Sequence, residues 1–122
     1  MTKAEPAVIG IVDDDHAVRE SLRFLLEIAG HAVETFASAA EFLEANVYEF
    51  ACLILDHHMP HMTGLELVKT LRADGSAIPI LLMTGMPSPN IYTQAAELDI
   101  HTVLEKPLDE KDLLDFLNLH RP

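Results

Sequence analysis

Five short apolar segments alternate along the chain with segments of helical periodicity. The apolar segments span residues 7–12, 31–36, 51–55, 78–83 and 102–104. Strands that are apolar almost throughout are typical of parallel sheets covered on both faces, and parallel neighbours need crossover connections, usually helices. The pattern therefore predicts an α/β fold with a doubly wound, five-stranded parallel sheet and right-handed crossovers.

Hydrophobic spacing and capping residues predict the helices. The first is the best defined, because apolar side chains line one face and Gly30 stands where a C-terminal cap is expected. Ser38 and Glu41 resemble a capping box that opens a short second helix burying Phe42 and Leu43. Later helices are predicted around residues 65–71 and 91–98 and after Asp109.

The chain has 122 residues, a length that suits a single domain with its own hydrophobic core. We expect a flexible N-terminus over residues 1–6, a single domain over 7–120 and a tail over 121–122. Any output module must lie elsewhere.

The charge balance argues against nucleic acid or an anionic membrane as a direct partner. Asp and Glu number 20 against 8 Lys and Arg, a formal net charge of −12, whereas those partners reward clustered positive charge. The single cysteine, Cys52, permits no disulfide framework. No segment resembles a signal peptide or a membrane span. We therefore expect a soluble cytoplasmic domain with a protein partner.

Polar residues follow four of the predicted strands. The first strand is followed by residues 13–15, all aspartate, and the others by Asp56, Thr84 and Lys106. Parallel sheets bind ligands beyond the carboxyl ends of their strands, so these residues are expected to converge.

The chemistry of these residues points to phosphoryl transfer. Clustered aspartates repel one another unless a cation compensates, and oxygen ligands suit Mg²⁺. Asp56 could then act as a nucleophile while Lys106 and Thr84 hold the phosphoryl oxygens. Each residue alone has an ordinary structural explanation, such as a helix cap or a loop residue, so the prediction depends on their combination.

The sequence resembles the receiver domains of response regulators over residues 8–120. The matching segments are residues 11–15 (IVDDD), 53–60 (LILDHHMP), 62–64 (MTG), 82–85 (LMTG) and 105–107 (EKP). The Thr-Gly pair and residues 18–22 (VRESL) look most like the nitrogen-fixation-regulator branch. The resemblance implies the flavodoxin-like strand order 2-1-3-4-5 and a signalling domain rather than an enzyme.

The resemblance also implies roles for individual residues. Asp56 would be phosphorylated, and Asp14 would bind Mg²⁺, or Mn²⁺ in its place, directly. Asp13 would hold the ion through water, and Asp15 would cap a helix. The remaining implied roles are the His58 backbone carbonyl as a metal ligand, Lys106 and Thr84 as phosphoryl contacts, and a cis peptide between Lys106 and Pro107.

Signalling in this family implies a population shift at the surface of the fourth helix, fifth strand and fifth helix. A sensor histidine kinase or a histidine phosphotransfer protein would supply the phosphoryl group. A downstream protein or a missing output domain would respond, and a homodimer is possible. The chain departs from the family by having Val103 at the usual aromatic switch position, and its 85–90 loop is rich in proline.

Other functions remain open at this point. Asp13 to Asp15 contain an Asp-x-Asp as in haloacid-dehalogenase-type phosphatases, although no suitable acidic pair follows Lys106. A receiver-like module that binds partners without phosphorylation is another alternative, and a flavin-binding relative is a weaker one. His57, His58 and His61 could suggest a transition-metal site, but the adjacent His57 and His58 cannot easily converge on one ion.

Overall fold

The computed structural model describes residues 8–120, whose centre is a parallel sheet. Its five strands are β1 (Val8–Val12), β2 (Ala32–Phe36), β3 (Phe50–Asp56), β4 (Ile80–Thr84) and β5 (Thr102–Glu105). They lie in the order β2-β1-β3-β4-β5. The predicted fold class and strand order are therefore confirmed. Three predictions lie outside the described residues: the flexible N-terminus at 1–6, the start of the first strand at Ala7 and the tail at 121–122.

Helices cover both faces of the sheet and bury two hydrophobic clusters. They are α1 (His16–Ile28), α2 (Ala39–Leu43), α3 (Gly64–Ala73), α4 (Pro89–Glu97) and α5 (Glu110–Leu119), with a short 3-10 turn at Val47–Glu49. One cluster joins the sheet to α2, α3 and α4, and the other joins it to α1 and α5. No helix within residues 8–120 is both long and apolar enough to cross a membrane.

Several element boundaries differ from the sequence prediction by one or two residues. β4 begins at Ile80 rather than at residue 78. The preceding Pro79 has no N–H to donate, although its carbonyl accepts a hydrogen bond from the Leu53 amide at 2.9 Å. In α2, Phe42 is buried as predicted, but Leu43 is 39% exposed, so its predicted burial was wrong. A helix of only five residues presents a narrow face to the sheet.

The predicted strand ends fall one residue short in three strands. β3, β4 and β5 extend to Asp56, Thr84 and Glu105. Asp56 is aligned with Met83, and Thr84 with Glu105, so these polar residues belong to the regular sheet. The sheet itself therefore fixes the backbone positions of two candidate site residues.

The start of α3 packs directly against the end of β3. A methyl group at Gly64 would lie 2.7 Å from the Asp56 carbonyl oxygen and 2.9 Å from the His57 Cα. The Gly64 amide donates to the His57 carbonyl at 3.0 Å. Thr63 and Glu66 form a reciprocal capping box at this terminus. These contacts determine the path of the chain directly after Asp56.

Arg72 connects loops at the edge of the sheet where β4 and β5 begin. Its guanidinium donates to the backbone carbonyls of Leu98 at 2.8 Å, Ser76 at 3.1 Å and Ile78 at 2.9 Å. Because each carbonyl belongs to a loop at this edge, one side chain connects the end of α3 to the entry of β4 and the end of α4.

We predict that Gly64→Ala destabilises the fold by about 1–3 kcal/mol, the usual cost of forcing atoms into a well-packed region. The neighbouring atoms at the shortest distances are backbone, so they cannot rotate away. Urea unfolding measures the effect. Gly85→Ala is the matched control, because a methyl group there meets nothing within 4 Å. Equal stabilities of the two variants would contradict the packing argument.

Candidate functional site

Three carboxylates meet at the carboxyl edge of the sheet. Asp13 and Asp14 follow β1, and Asp56 ends β3. Each offers an oxygen atom, and these atoms all lie within 4.8 Å of one another. Asp13 and Asp56 are buried, whereas Asp14 is exposed. The cluster therefore opens to solvent through Asp14.

Among the residues that the structure describes, Lys106 is the cation that faces this cluster. Its Nζ lies 2.9 Å from Asp13 Oδ2 and 3.3 Å from Asp56 Oδ1. Its backbone amide donates to the Thr84 carbonyl at 2.9 Å, which ties the residue to the end of β4. The Lys106–Pro107 peptide is cis, as the family resemblance implied.

Burial and mutual repulsion raise the pKa of the Asp56 carboxyl. Desolvation is the larger cause and the negative charge of Asp13 the next, while the charge and hydrogen bond of Lys106 offset them only in part. Burial lowers the pKa of Lys106, but its hydrogen bond to Asp13 and the charge of Asp56 more than compensate, so the net shift is upward. Lys106 therefore stays protonated, and its single charge does not fully compensate the buried acids.

Asp13 and Asp15 have separate structural tasks. Asp13 Oδ1 accepts a hydrogen bond from the Asp15 amide at 2.9 Å, and the Asp13 carbonyl accepts one from Arg19 Nη1 at 2.7 Å. Asp15 Oδ1 accepts from the amides of Ala17 at 2.8 Å and Val18 at 3.3 Å. The prediction that Asp15 caps a helix is confirmed, and its side chain points into that cap.

Thr84 is fully buried, and its hydroxyl has two partners. Thr84 Oγ1 lies 2.9 Å from His58 Nε2 and accepts a hydrogen bond from the Met86 amide at 3.1 Å. Within residues 8–120, it makes no hydrogen bond to Asp56 or Lys106. No sequence pattern predicts the contact with His58, because residue 58 lies in the loop after β3 and Thr84 ends β4, 26 residues later.

The three histidines after β3 do not assemble a metal site. The rings of His57 and His58 contact edge to face, with centroids 4.8 Å apart. Burial lowers the pKa of His57, and electrostatic interaction with the neighbouring His58 lowers it further. His61 is exposed and has a positive φ of 70°. Among residues 8–120, the carboxylate cluster is the group whose atoms could share an ion.

Val103 lies half-buried on β5, where it is aligned with Leu82 and packs against the cluster on the α3 and α4 side of the sheet. An aliphatic side chain at this position cannot rotate between two sites as an aromatic ring can. Val103 therefore departs from the aromatic residue that the family resemblance implied at this position.

We predict that Asp56→Asn raises the melting temperature in EDTA at neutral pH. Because the pKa of Asp56 is higher in the folded protein than in the unfolded chain, stability falls as the pH rises above the ordinary aspartate pKa, and the loss is complete above the folded-state pKa. The neutral amide avoids this cost. The advantage of the variant should shrink as the pH falls and Asp56 becomes protonated. Thermal melts of both proteins between pH 4 and 8 measure the difference, and a variant less stable at every pH would refute the prediction.

Comparison with known proteins places the chain in one family. The family described as "Response regulator receiver domain" matches residues 9–118. The transcriptional regulatory protein FixJ of Azorhizobium caulinodans is 41% identical over 111 residues, which cover 90% of this chain and 53% of FixJ. This relative confirms the resemblance to the nitrogen-fixation-regulator branch. The chain spans about half the length of these curated relatives.

Solved structures agree with this assignment. The response regulator StyR superposes with a TM-score of 0.87 at 41% identity, covering 96% of this chain and 59% of StyR. The chemotaxis protein CheY4 of Vibrio cholerae superposes with a TM-score of 0.80 at 32% identity, covering 93% of this chain and 98% of CheY4. The chain therefore belongs to the receiver domain family of two-component response regulators.

Proposed function

We propose that this receiver domain accepts a phosphoryl group on Asp56 in the presence of Mg²⁺. The observation that carries the proposal is the position of the Asp56 carboxylate, which ends β3 between Lys106, at 3.3 Å, and two further carboxylates. A buried acid with a raised pKa beside one lysine suits a site that modifies its own side chain.

In the transfer, an oxygen of Asp56 forms a bond to the phosphorus of the donor. For a phosphohistidine donor, the P–N bond breaks and its electron pair returns to the imidazole nitrogen. Lys106 stabilises the negative charge of the transferring group as a point charge, and its hydrogen bond to Asp13 fixes its position. The product is an acyl phosphate on Asp56.

The donor set fits a hard divalent cation. Asp14 would bind Mg²⁺ directly, Asp13 through water, and the His58 carbonyl would be a third protein ligand; Mn²⁺ could substitute. Three carboxylates against one lysine leave excess negative charge at a partly open site, which suits an ion that keeps several waters. When bound, Mg²⁺ would neutralise charge on the phosphoryl oxygens.

The signal would pass to a protein partner. A sensor histidine kinase or a histidine phosphotransfer protein would donate the phosphoryl group in the cytoplasm. We assign residues 7–120 to the receiver domain. Because the curated relatives are longer, we propose that an output domain lies outside these residues. Phosphorylation would shift the surface formed by α4, β5 and α5, which could act on that domain, on another protein or on a second copy.

Incubation with acetyl phosphate and Mg²⁺, followed by intact mass measurement, tests the function. We expect the wild-type protein to gain one phosphoryl group and Asp56→Asn to gain none, because an amide cannot form the acyl phosphate. Asp115→Asn is the control, since this exposed acid pairs only with Lys111 in the described residues. If neither protein gains mass, the proposal fails and a binding module becomes the better explanation. If both gain the same mass, another residue accepts the phosphoryl group and the assignment of Asp56 fails.

A second test separates the neighbouring aspartates. We predict that Asp14→Asn weakens Mg²⁺ binding about tenfold or more, since even loss of an outer partner of a metal site has that effect. Asp15→Asn should leave the affinity near wild type, because Asn preserves the helix cap. Calorimetric Mg²⁺ titration of the three proteins measures this. An equal loss in both variants would show that Asp14 has no special role.

A further inference from the structure

The hydroxyl of Thr84 is held by two groups outside the carboxylate cluster. One is His58 Nε2, at 2.9 Å, and the other is the Met86 amide, at 3.1 Å. Thr84 ends β4, so its backbone cannot shift without breaking the alignment with β5. Release of the hydroxyl therefore requires rotation of the Thr84 side chain, movement of the His58 side chain, or movement of the loop after Thr84.

A threonine hydroxyl has one hydrogen to donate and two positions to accept. The Met86 amide uses one accepting position. Depending on its tautomer, His58 Nε2 either accepts the hydroxyl hydrogen or donates its own hydrogen to the second accepting position. In both cases the oxygen is held between residues 58 and 86, and a rotation that carries it out of this position breaks the bond to His58.

We propose that the side chain of His58 is a latch that stabilises the resting position of Thr84 and has to release it before Thr84 can contact a phosphoryl group on Asp56. This inference rests on the proposed function, because it assumes that Asp56 receives that group. His58 is a positioning residue here, since it would act through Thr84 rather than on phosphorus.

The latch connects the site to an exposed surface without an aromatic switch. Met86 is 72% exposed in the loop between β4 and α4, and its amide shares the Thr84 oxygen with His58. When Thr84 moves, the Met86 amide loses its acceptor and the loop has to rearrange. This route is independent of Val103 and begins at the end of β4.

Binding of beryllium fluoride with Mg²⁺, an acyl phosphate mimic, tests the latch. A ligand that needs the released form of Thr84 binds more weakly by the cost of breaking the latch. We expect His58→Ala to tighten binding about fivefold, which corresponds to about 1 kcal/mol, a typical net hydrogen bond. His58→Gln should restore an affinity near wild type, because its amide can replace the hydrogen bond. Both variants keep the backbone carbonyl of residue 58.

Two controls isolate the hydrogen bond. His61→Ala removes an exposed imidazole of the same loop that makes no hydrogen bond to Thr84, so its affinity should stay near wild type. In a Thr84→Val background, His58→Ala should change the affinity little, because the hydroxyl that it would release is absent. In the free protein, the NMR resonance of the Met86 amide should move in His58→Ala and return toward its original position in His58→Gln.

The outcomes distinguish this inference from the proposed function. If the wild type gains no phosphoryl group from acetyl phosphate, the proposed function itself fails. If it is phosphorylated but His58→Ala binds the mimic with unchanged or weaker affinity, the latch is wrong. The latch is also wrong if His58→Gln tightens binding as much as His58→Ala, or if the effect of His58→Ala persists in Thr84→Val.

Discussion

The structure depends on one electrostatic constraint, the placement of Asp13 and Asp56 together in a buried position with a single lysine. Burial and repulsion raise the pKa of Asp56, so the ionised site costs stability that the rest of the fold has to supply. The hydrophobic clusters on both faces of the sheet provide that support. The same excess of negative charge creates a demand for a cation and a reactive carboxylate, so the cost and the proposed function have one origin.

Much of the fold could be predicted because its signals are local. Almost uninterrupted apolar strands indicate a parallel sheet, and Gly30, with its φ of 95°, marks the end of α1. The convergence of Asp13, Asp56 and Lys106 also followed from the sequence, since parallel strands bring their carboxyl ends to one edge. The strand order could not be derived from such local signals, because several orders can satisfy the same hydrophobic pattern. It was predicted from the family resemblance.

The contacts that sequence reasoning missed depend on three-dimensional packing. Residues 58 and 84 meet only because β3 and β4 are neighbours in the register that aligns Asp56 with Met83. The close approach of Gly64 to β3 and the three carbonyls around Arg72 depend equally on the paths of loops. Leu43 was misjudged because a short helix buries less of its apolar face than its spacing suggests. The His58 contact changes the functional picture most, since it offers a route to the loop after β4 that needs no aromatic residue at position 103.

The most direct measurement is to identify which carboxylate carries the phosphoryl group. Borohydride reduces an acyl phosphate of aspartate to homoserine, which survives digestion and can be located by peptide mass spectrometry. After treatment with a phosphoryl donor and Mg²⁺, we expect homoserine at position 56 alone. Homoserine at position 13, the nucleophile that the phosphatase alternative requires, or at position 14 would contradict the assignment of Asp56 as the acceptor.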